Sequence, residues 1–462
     1  MIQLRFDKAA ALVNGTLYNS YHAGQTFTGV SIDSRTLREG ELFFAIRGER
    51  LDGHSYLPGA IKAGAGGVVS QFDFTGLEQL PGTVPVIAVH DSHRALIDLA
   101  KAYRRQIDCR CIAITGSNGK TTTKELAARL FEAVEPQTYG SAGNLNNLYG
   151  LPLALLRMPQ DTKIAVLETG ISQPGEMSKL AAILEPDMVV LTNIGRSHLQ
   201  FLKSVDDVAR EKLQLLDHAP QDAPVIFNAD DPILMKHLKS SSRPLVTFGM
   251  EHGDIRPDEI RPSGFGGSDV TIDGHTFCLP LPGRHQVYNL LAAYAIVQTA
   301  GYEFAGINTA AVGLGTAPMR GETIIAGGVT FVADCYNANP ESMLAGLKTF
   351  FEIDAEQPRI LILGDMLELG SEAATMHREV GAALAGRTFD RALLVGRYAD
   401  SIVTGALTAS VPKAKFRCYQ TVGDLLSSDA LPQDGELVFV KGSRGVALEK
   451  VIERYQSNGG GD

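Results

Sequence analysis

Residues Ile112 to Lys124 read IAITGSNGKTTTK. The apolar run Cys111–Ile114 predicts a buried strand. Gly116, Ser117, Asn118 and Gly119 follow, then Lys120 and the threonines Thr121, Thr122 and Thr123. A helical pattern runs from Thr122 to Val134. Strand, glycine loop, Lys-Thr and helix are the parts of a phosphate-binding loop. The glycines let backbone N–H groups turn toward one anion. The helix N-terminus adds its partial positive charge. Lys120 is placed to reach terminal phosphates, and the Thr121 hydroxyl to ligate Mg²⁺. The loop is compact, with only two residues between Gly116 and Gly119. The plainer reading is a glycine turn ahead of a helix with an exposed lysine.

Around this stretch, apolar runs alternate with helical patterns. Strands are expected at Ile112–Thr115, Ile164–Leu167, Met188–Thr192, Val225–Asn228 and Leu245–Phe248. That alternation argues for a mostly parallel sheet flanked by helices, with the loop at its C-terminal edge. Residues 254–282 break the rhythm and predict an antiparallel insertion, and His285–Thr299 reads as a helix. Gly313–Pro318 reads as a linker. The last third alternates again. Strands are expected at Val329–Ala333, Arg359–Leu363, Ala392–Val395 and Leu437–Val440, and helices at Glu372–Leu384 and Val446–Tyr455. No G-x-G-x-x-G occurs there, so a dinucleotide cofactor has little support. Residues 1–100 are glycine-rich with short runs such as Glu41–Ile46. The expected fold is α/β in three domains: a small N-terminal α/β domain (1–100), a central ATPase-type, mostly parallel domain (101–315) and a C-terminal Rossmann-like domain (316–462). Ser457–Asp462 reads as a frayed tail.

At 462 residues the chain exceeds one core. Apolar residues make up 44% and charged ones 20%, the balance of a globular protein in water. The net charge of −10 argues against a general grip on nucleic acid or anionic lipid. Negative ligands must be held by local sites. The five cysteines are scattered, without C-x-x-C spacing, which suits a reducing cytosol. No run has the length of a signal core or a membrane span.

Four further places could carry chemistry. Glu168 closes the run KIAVLE, where a carboxylate is either a turn residue or a ligand for nucleotide-bound Mg²⁺. His198, in NIGRSH, is either an ordinary polar residue or a second metal ligand. Lys212 lies in the amphipathic run SVDDVAREKLQLL and by spacing alone is a solvated lysine. Asn144, Asn146 and Asn147, in SAGNLNNLYG, form either a turn or a loop that orients a polar substrate.

Taken together, these motifs resemble the Mur ligase family, which builds the peptide of bacterial cell-wall precursors. The marks are spread over nearly the whole chain. DSR stands at Asp33–Arg35 and GELFFAIRGERLDGH at Gly40–His54. TGSNGKTT, GNLNN (Gly143–Asn147) and NIGRSH (Asn193–His198) follow. DCYNANPESM (Asp334–Met343), LGDMLELG (Leu363–Gly370) and KGSRG (Lys441–Gly445) complete the set. The resemblance implies ATP and two Mg²⁺ ions as cofactors. Gly116, Ser117, Asn118, Gly119, Lys120, Thr121 and Thr122 would hold phosphates. Thr121, Glu168, His198 and Lys212 would be metal ligands, with Lys212 carbamylated, so that its charge becomes negative. Lys120, Lys212 and His198 would be the catalytic set. Asn289 would contact adenine, and Arg320 and Asp334 the nucleotide phosphates and ribose. Ser34 and Arg35 would take the uridine nucleotide, Asn144 and Asn147 the sugar and acyl end, and Asn337 the amine. Three positions depart from the family pattern: Gln286, Ser141 and Gln214.

The implied activity is ATP-dependent amide bond formation in peptidoglycan precursor synthesis, in the cytoplasm, by a monomer. The YNANP and LGDMLELG strings imply UDP-MurNAc-tripeptide as donor and D-Ala-D-Ala as acceptor, with no nucleic acid and no membrane insertion. Competing readings are a sister ligase, a folylpolyglutamate synthetase, a GTPase switch and a non-catalytic binding protein. The chain has no N-K-x-D for guanine, which argues against the switch.

Overall fold

The computed structural model describes residues 1–48, 51–315 and 317–458. The centre is a six-stranded, wholly parallel sheet. Its order is Leu245–Phe248, Val225–Asn228, Met188–Leu191, Arg110–Thr115, Ile164–Glu168, Thr138–Gly140. The strands are nearly continuous apolar runs because both faces are covered. One face packs on the helices Lys120–Glu132 and Arg284–Thr299, through Leu126, Leu130, Leu290 and Ile296. The other face packs on Ser92–Arg104, Gly150–Arg157 and Glu176–Leu184, and that core continues into the N-terminal residues Phe6 and Phe27.

Register sets the site. Ile114 lies opposite Glu168, and Thr115 opposite Leu191. Three strand ends therefore finish level, and the loops after two of them leave in opposite directions. Such a switch point is where open parallel sheets bind ligands.

The insertion is a three-stranded antiparallel sheet, Glu259–Pro262, Ser268–Ile272 and His275–Leu279. The N-terminal part has a five-stranded sheet, parallel except for its edge strand Thr16–Tyr18. A two-stranded ribbon, Gln3–Arg5 with Thr26–Thr28, sits beside it. The C-terminal sheet runs Glu322–Ala326, Val329–Ala333, Leu437–Lys441, Arg359–Gly364, Arg391–Val395, Phe416–Tyr419, with the first pair antiparallel and the rest parallel. Separate apolar clusters cover its two faces. The α/β architecture with three sheet-based units is the expected one.

The differences lie at edges and ends. Thr138–Gly140, Glu322–Ala326 and Phe416–Tyr419 were not expected as strands. All three are sheet edges, largely open to solvent, and lack a full apolar run. The last helix begins at Glu449, not Val446, because Ala447 takes a left-handed φ of 60°. It continues to Asn458, so Ser457 is helical and not part of a frayed tail. Residues 459–462 of that expected tail, Thr316 of the linker, and Glu49 and Arg50 of the Gly40–His54 string lie outside the described residues.

Candidate active site

The glycine loop turns between the strand Arg110–Thr115 and the helix Lys120–Glu132. Two of its positions admit only glycine. Gly116 has φ 150°, and a Cβ there would stand 1.9 Å from Thr192 Oγ1. Gly119 has φ 82°, and its Cβ would meet Asn289 Oδ1 at 2.2 Å. The segment after the strand Met188–Leu191 clamps the loop. Asn118 N–H donates to Asn193 Oδ1 (2.9 Å), Thr192 Oγ1 donates to the Asn118 carbonyl (2.6 Å), and Ser117 Oγ accepts from Gly195 N–H (2.8 Å).

Lys120 Nζ donates back to the Gly116 carbonyl at 2.8 Å. Burial holds its pKa below the ordinary lysine range, opposed by the nearby Glu168 charge. Thr121 and Thr122 are buried in the first helical turn. Thr121 Oγ1 donates to Glu168 Oε2 at 2.6 Å, and Asn146 Nδ2 donates to Glu168 Oε1 at 2.7 Å. A hydroxyl and a carboxylate side by side are oxygen donors of the kind a hard divalent cation takes.

Lys212 belongs to the helix Val205–Leu213 and is only 1% exposed. It is therefore not the solvated lysine that spacing alone implies. Burial, reinforced by the charge of Lys120, pushes its pKa well below the usual lysine value. The charges of Glu168 and Glu211 act the other way. Lys120, Glu168 and Lys212 thus share one electrostatic neighbourhood at the strand edge.

His198 pairs with the C-terminal unit. Its Nδ1 is 2.5 Å from Glu368 Oε2, on the loop after the C-terminal strand Arg359–Gly364. Among the described residues, no three His, Cys, Asp or Glu side chains converge as a metal-holding group. Asn289 stands behind the loop. Its amide donates to Gln286 Oε1 at 2.9 Å, and its oxygen accepts from Thr123 Oγ1 at 3.4 Å. Gln286, the departure from the family's pattern, is thus the hydrogen-bond partner of Asn289.

From the C-terminal unit, Arg320 lies close enough to Lys120 for its charge to act there. Arg320 lies 4.1 Å over the Tyr336 ring, with its Nε buried and unpartnered among the described residues. Asp334 Oδ2 accepts from buried Lys441 at 2.6 Å. Burial raises the pKa of the Tyr336 phenol, and the nearby Arg320 charge opposes the rise. Asn337 is exposed, and its side chain accepts from the Ala338 N–H. Asn147 Oδ1 accepts from Tyr149 and Gly150 N–H, just ahead of the helix Gly150–Arg157. Ser34 and Arg35 lie in the N-terminal unit, and Arg35 forks onto Asp33 at 2.7–3.2 Å. The hydrogen bonds of Arg35 all go to Asp33, within the DSR segment itself.

Residue reasoning missed the contacts between units. Asn339 caps the helix Pro340–Glu352 in a capping box with Ser342, and its Nδ2 donates to Asn118 Oδ1 on the glycine loop at 2.8 Å. Asn-Pro-x-Ser is a legible helix start, but its far contact is not. Arg196 forks between Glu341 and Glu379, both at 2.7 Å. Asp365 of LGDMLELG accepts from Arg397 and Tyr398 N–H and holds its own loop in place.

A parallel sheet with a glycine loop, a Lys-Thr helix start and a carboxylate on the adjacent strand defines a nucleotide-phosphate-binding protein. The chain belongs to the Mur ligase family. Family profiles match at residues 26–104 (Mur ligase family, catalytic domain), 114–297 (Mur ligase middle domain) and 319–444 (Mur ligase, glutamate ligase domain). It is 35% identical over 458 residues to the UDP-N-acetylmuramoyl-tripeptide--D-alanyl-D-alanine ligase of Bacillus subtilis (strain 168), covering 98% of both chains. It is 31% identical to the enzyme of that name from Escherichia coli (strain K12), covering 99% of this chain and 100% of that one. Among solved structures, MurF from Acinetobacter baumannii matches with a TM-score of 0.84 at 25% identity, covering 99% of each chain. MurF ligase from Thermotoga maritima in complex with ADP matches with 0.75 at 26% identity, covering 93% of this chain and 97% of that one. No helix among the described residues is long and apolar enough to cross a membrane.

Proposed function

We propose that this chain is an ATP-dependent amide ligase joining D-Ala-D-Ala to UDP-MurNAc-tripeptide, in the cytoplasm, with release of ADP and phosphate. One observation carries the reading. Thr121 bonds Glu168 at the C-terminal end of the central sheet, and the charges of Lys120 and Glu168 act on buried Lys212, in a chain matching ligases of that printed name along nearly its whole length. Residues 1–100 take the uridine nucleotide through Ser34 and Arg35, 101–315 take ATP, and 316–462 take the amine and close over the phosphates. The protein works as a monomer.

The tripeptide's terminal carboxylate attacks the γ-phosphorus, and ADP leaves. The product is an acyl phosphate. The free amine of D-Ala-D-Ala then attacks the acyl carbon, loses a proton and expels phosphate. Lys120 and the loop N–H groups offset charge on the transferring phosphoryl group. Arg320 adds a second cation, and Asn289 supports the loop beside adenine. Thr121, Glu168, His198 and carbamylated Lys212 would hold two Mg²⁺ ions, which neutralise phosphate charge when bound. For His198 this requires release from Glu368. Asn144 and Asn147 orient the acyl end. The contacts Asn339–Asn118 and Arg196–Glu341 bring the C-terminal unit against the central one, which keeps water from the acyl phosphate.

The acceptor pocket lies at Asp334–Met343, at a strand's C-terminal end. A dipeptide has a central amide that a single amino acid lacks. A site that pairs this amide leaves its own polar groups unsatisfied with the shorter amine. In competition at equal concentration, read by product mass, D-Ala-D-Ala should exceed D-Ala, L-Lys, diaminopimelate and L-Glu by about a hundredfold or more in kcat/KM. If diaminopimelate or lysine wins, with a UDP-MurNAc-dipeptide donor, the chain is a sister ligase and this reading fails.

A further inference from the structure

Lys124 has no part in the steps above, yet it is fully buried. It lies one helical turn beyond Lys120 on the helix Lys120–Glu132. An ammonium taken out of water needs a partner for each of its three N–H bonds. Lys124 Nζ donates to the Ser141 carbonyl and to the Gly143 carbonyl at 2.9 Å, and Glu125 Oε1 stands 2.9 Å away as an ion-pair partner. Two of the three are backbone atoms of the segment that carries Asn144, Asn146 and Asn147.

That segment has little of its own to hold its first residues. The Ser141 hydroxyl is buried without a partner among the described residues. Ala142, Gly143 and Asn144 are exposed. Gly143 has φ 59° with nothing near its Cβ direction. Beyond the segment's start, Asn146 bonds Glu168. Just before it, the strand Thr138–Gly140 runs so close to the helix that a Cβ at Gly140 would stand 2.9 Å from Ala128 Cβ. One rigid helix therefore presents Lys120 and Thr121 to the nucleotide and, a turn later, grips the asparagine loop.

We infer that Lys124 is a positioning residue that ties the donor-binding loop 141–147 to the phosphate-loop helix, so that the tripeptide carboxylate is set against the γ-phosphate. The inference rests on the proposed role of that loop in donor binding. Lysine's compact three-donor head suits two converging carbonyls and a carboxylate. A guanidinium is bulkier and fixes its donors in one plane, so it fits these three partners less well.

The test compares wild type, Lys124→Met, Lys124→Arg and Gly143→Val. Lys124→Met keeps the apolar stem and removes the grip. Its kcat/KM for UDP-MurNAc-tripeptide should fall about a hundredfold, the scale of a small misplacement at the reacting centre. Its affinity for ADP, measured by calorimetry, should stay within about twofold of wild type. Lys124→Arg should recover part of the loss. Amide exchange should quicken in peptides covering 141–147 and stay unchanged over 112–120. Gly143→Val forces a β-branched residue into positive φ on the exposed loop and should reproduce the donor-specific loss if Lys124→Met does not fold. Unchanged donor kcat/KM and loop exchange in the variants that fold, or equal losses toward donor and ADP, would overturn the inference. If wild type ligates normally while these variants do too, only the role of Lys124 falls. If wild type makes no product from this donor, the proposed function falls with it.

Discussion

Lys120→Ala should cut ligation by about a thousandfold, the upper range for losing one preorganised group from a charge-stabilising site. The lysine opens the helix beside the turn that Gly116 and Gly119 impose. Arg320 is the other cation acting on the same neighbourhood, and it comes from the C-terminal unit. Arg320 therefore cannot take over the position that the loop geometry gives Lys120. The fold should survive. Lys120 Nζ bonds only carbonyls of its own loop, Gly116 and Ser117. The check is a steady-state phosphate-release assay beside thermal melts of both proteins. Full turnover in a folded variant contradicts the assigned role.

Lys212→Ala should also abolish activity, by a different route. A carbamate forms when a neutral amine adds to CO₂ and releases a proton. Burial and the neighbouring Lys120 charge favour the neutral amine, so the site suits that reaction. The modified fraction should rise with pH and with added bicarbonate. Mass spectrometry under non-acidic conditions should find one CO₂ on Lys212, a readout independent of turnover. A short carboxylic acid added to Lys212→Ala should restore part of the activity. The stability sign is also defined. With its folded pKa below the unfolded value, unmodified Lys212 costs stability that grows as pH falls from the unfolded value toward the folded one. Lys212→Met should therefore be at least as stable as unmodified wild type at neutral pH. High activity in the unrescued variant, or no CO₂ on the wild-type lysine at any pH, would contradict this.

The parts of the fold that were legible in sequence share a physical cause. Central strands such as Ile164–Glu168 are buried on both faces, so they are written as unbroken apolar runs. The glycine loop was legible because backbone geometry at Gly116 and Gly119 excludes side chains. Edge strands such as Phe416–Tyr419 carry weak patterns because one side meets water. Burial of Lys212 was hidden in a helix rich in charge. It comes from the fold around that helix, where Glu211 receives the Met177 N–H from another element. Contacts between units left no local trace either. His198 meets Glu368 across 170 positions, and Asn118 meets Asn339 across 221. Those residues stand in recognisable strings, but nothing in either string names its partner.

The central claim is that the donor carboxylate is activated by phosphoryl transfer before the amine attacks. It is tested by preparing UDP-MurNAc-tripeptide with ¹⁸O in the terminal carboxylate and ligating it to D-Ala-D-Ala with unlabelled ATP. The account predicts that each phosphate released carries one oxygen from that carboxylate, and that ADP carries none. Phosphate free of ¹⁸O, with normal yield of amide, would contradict it.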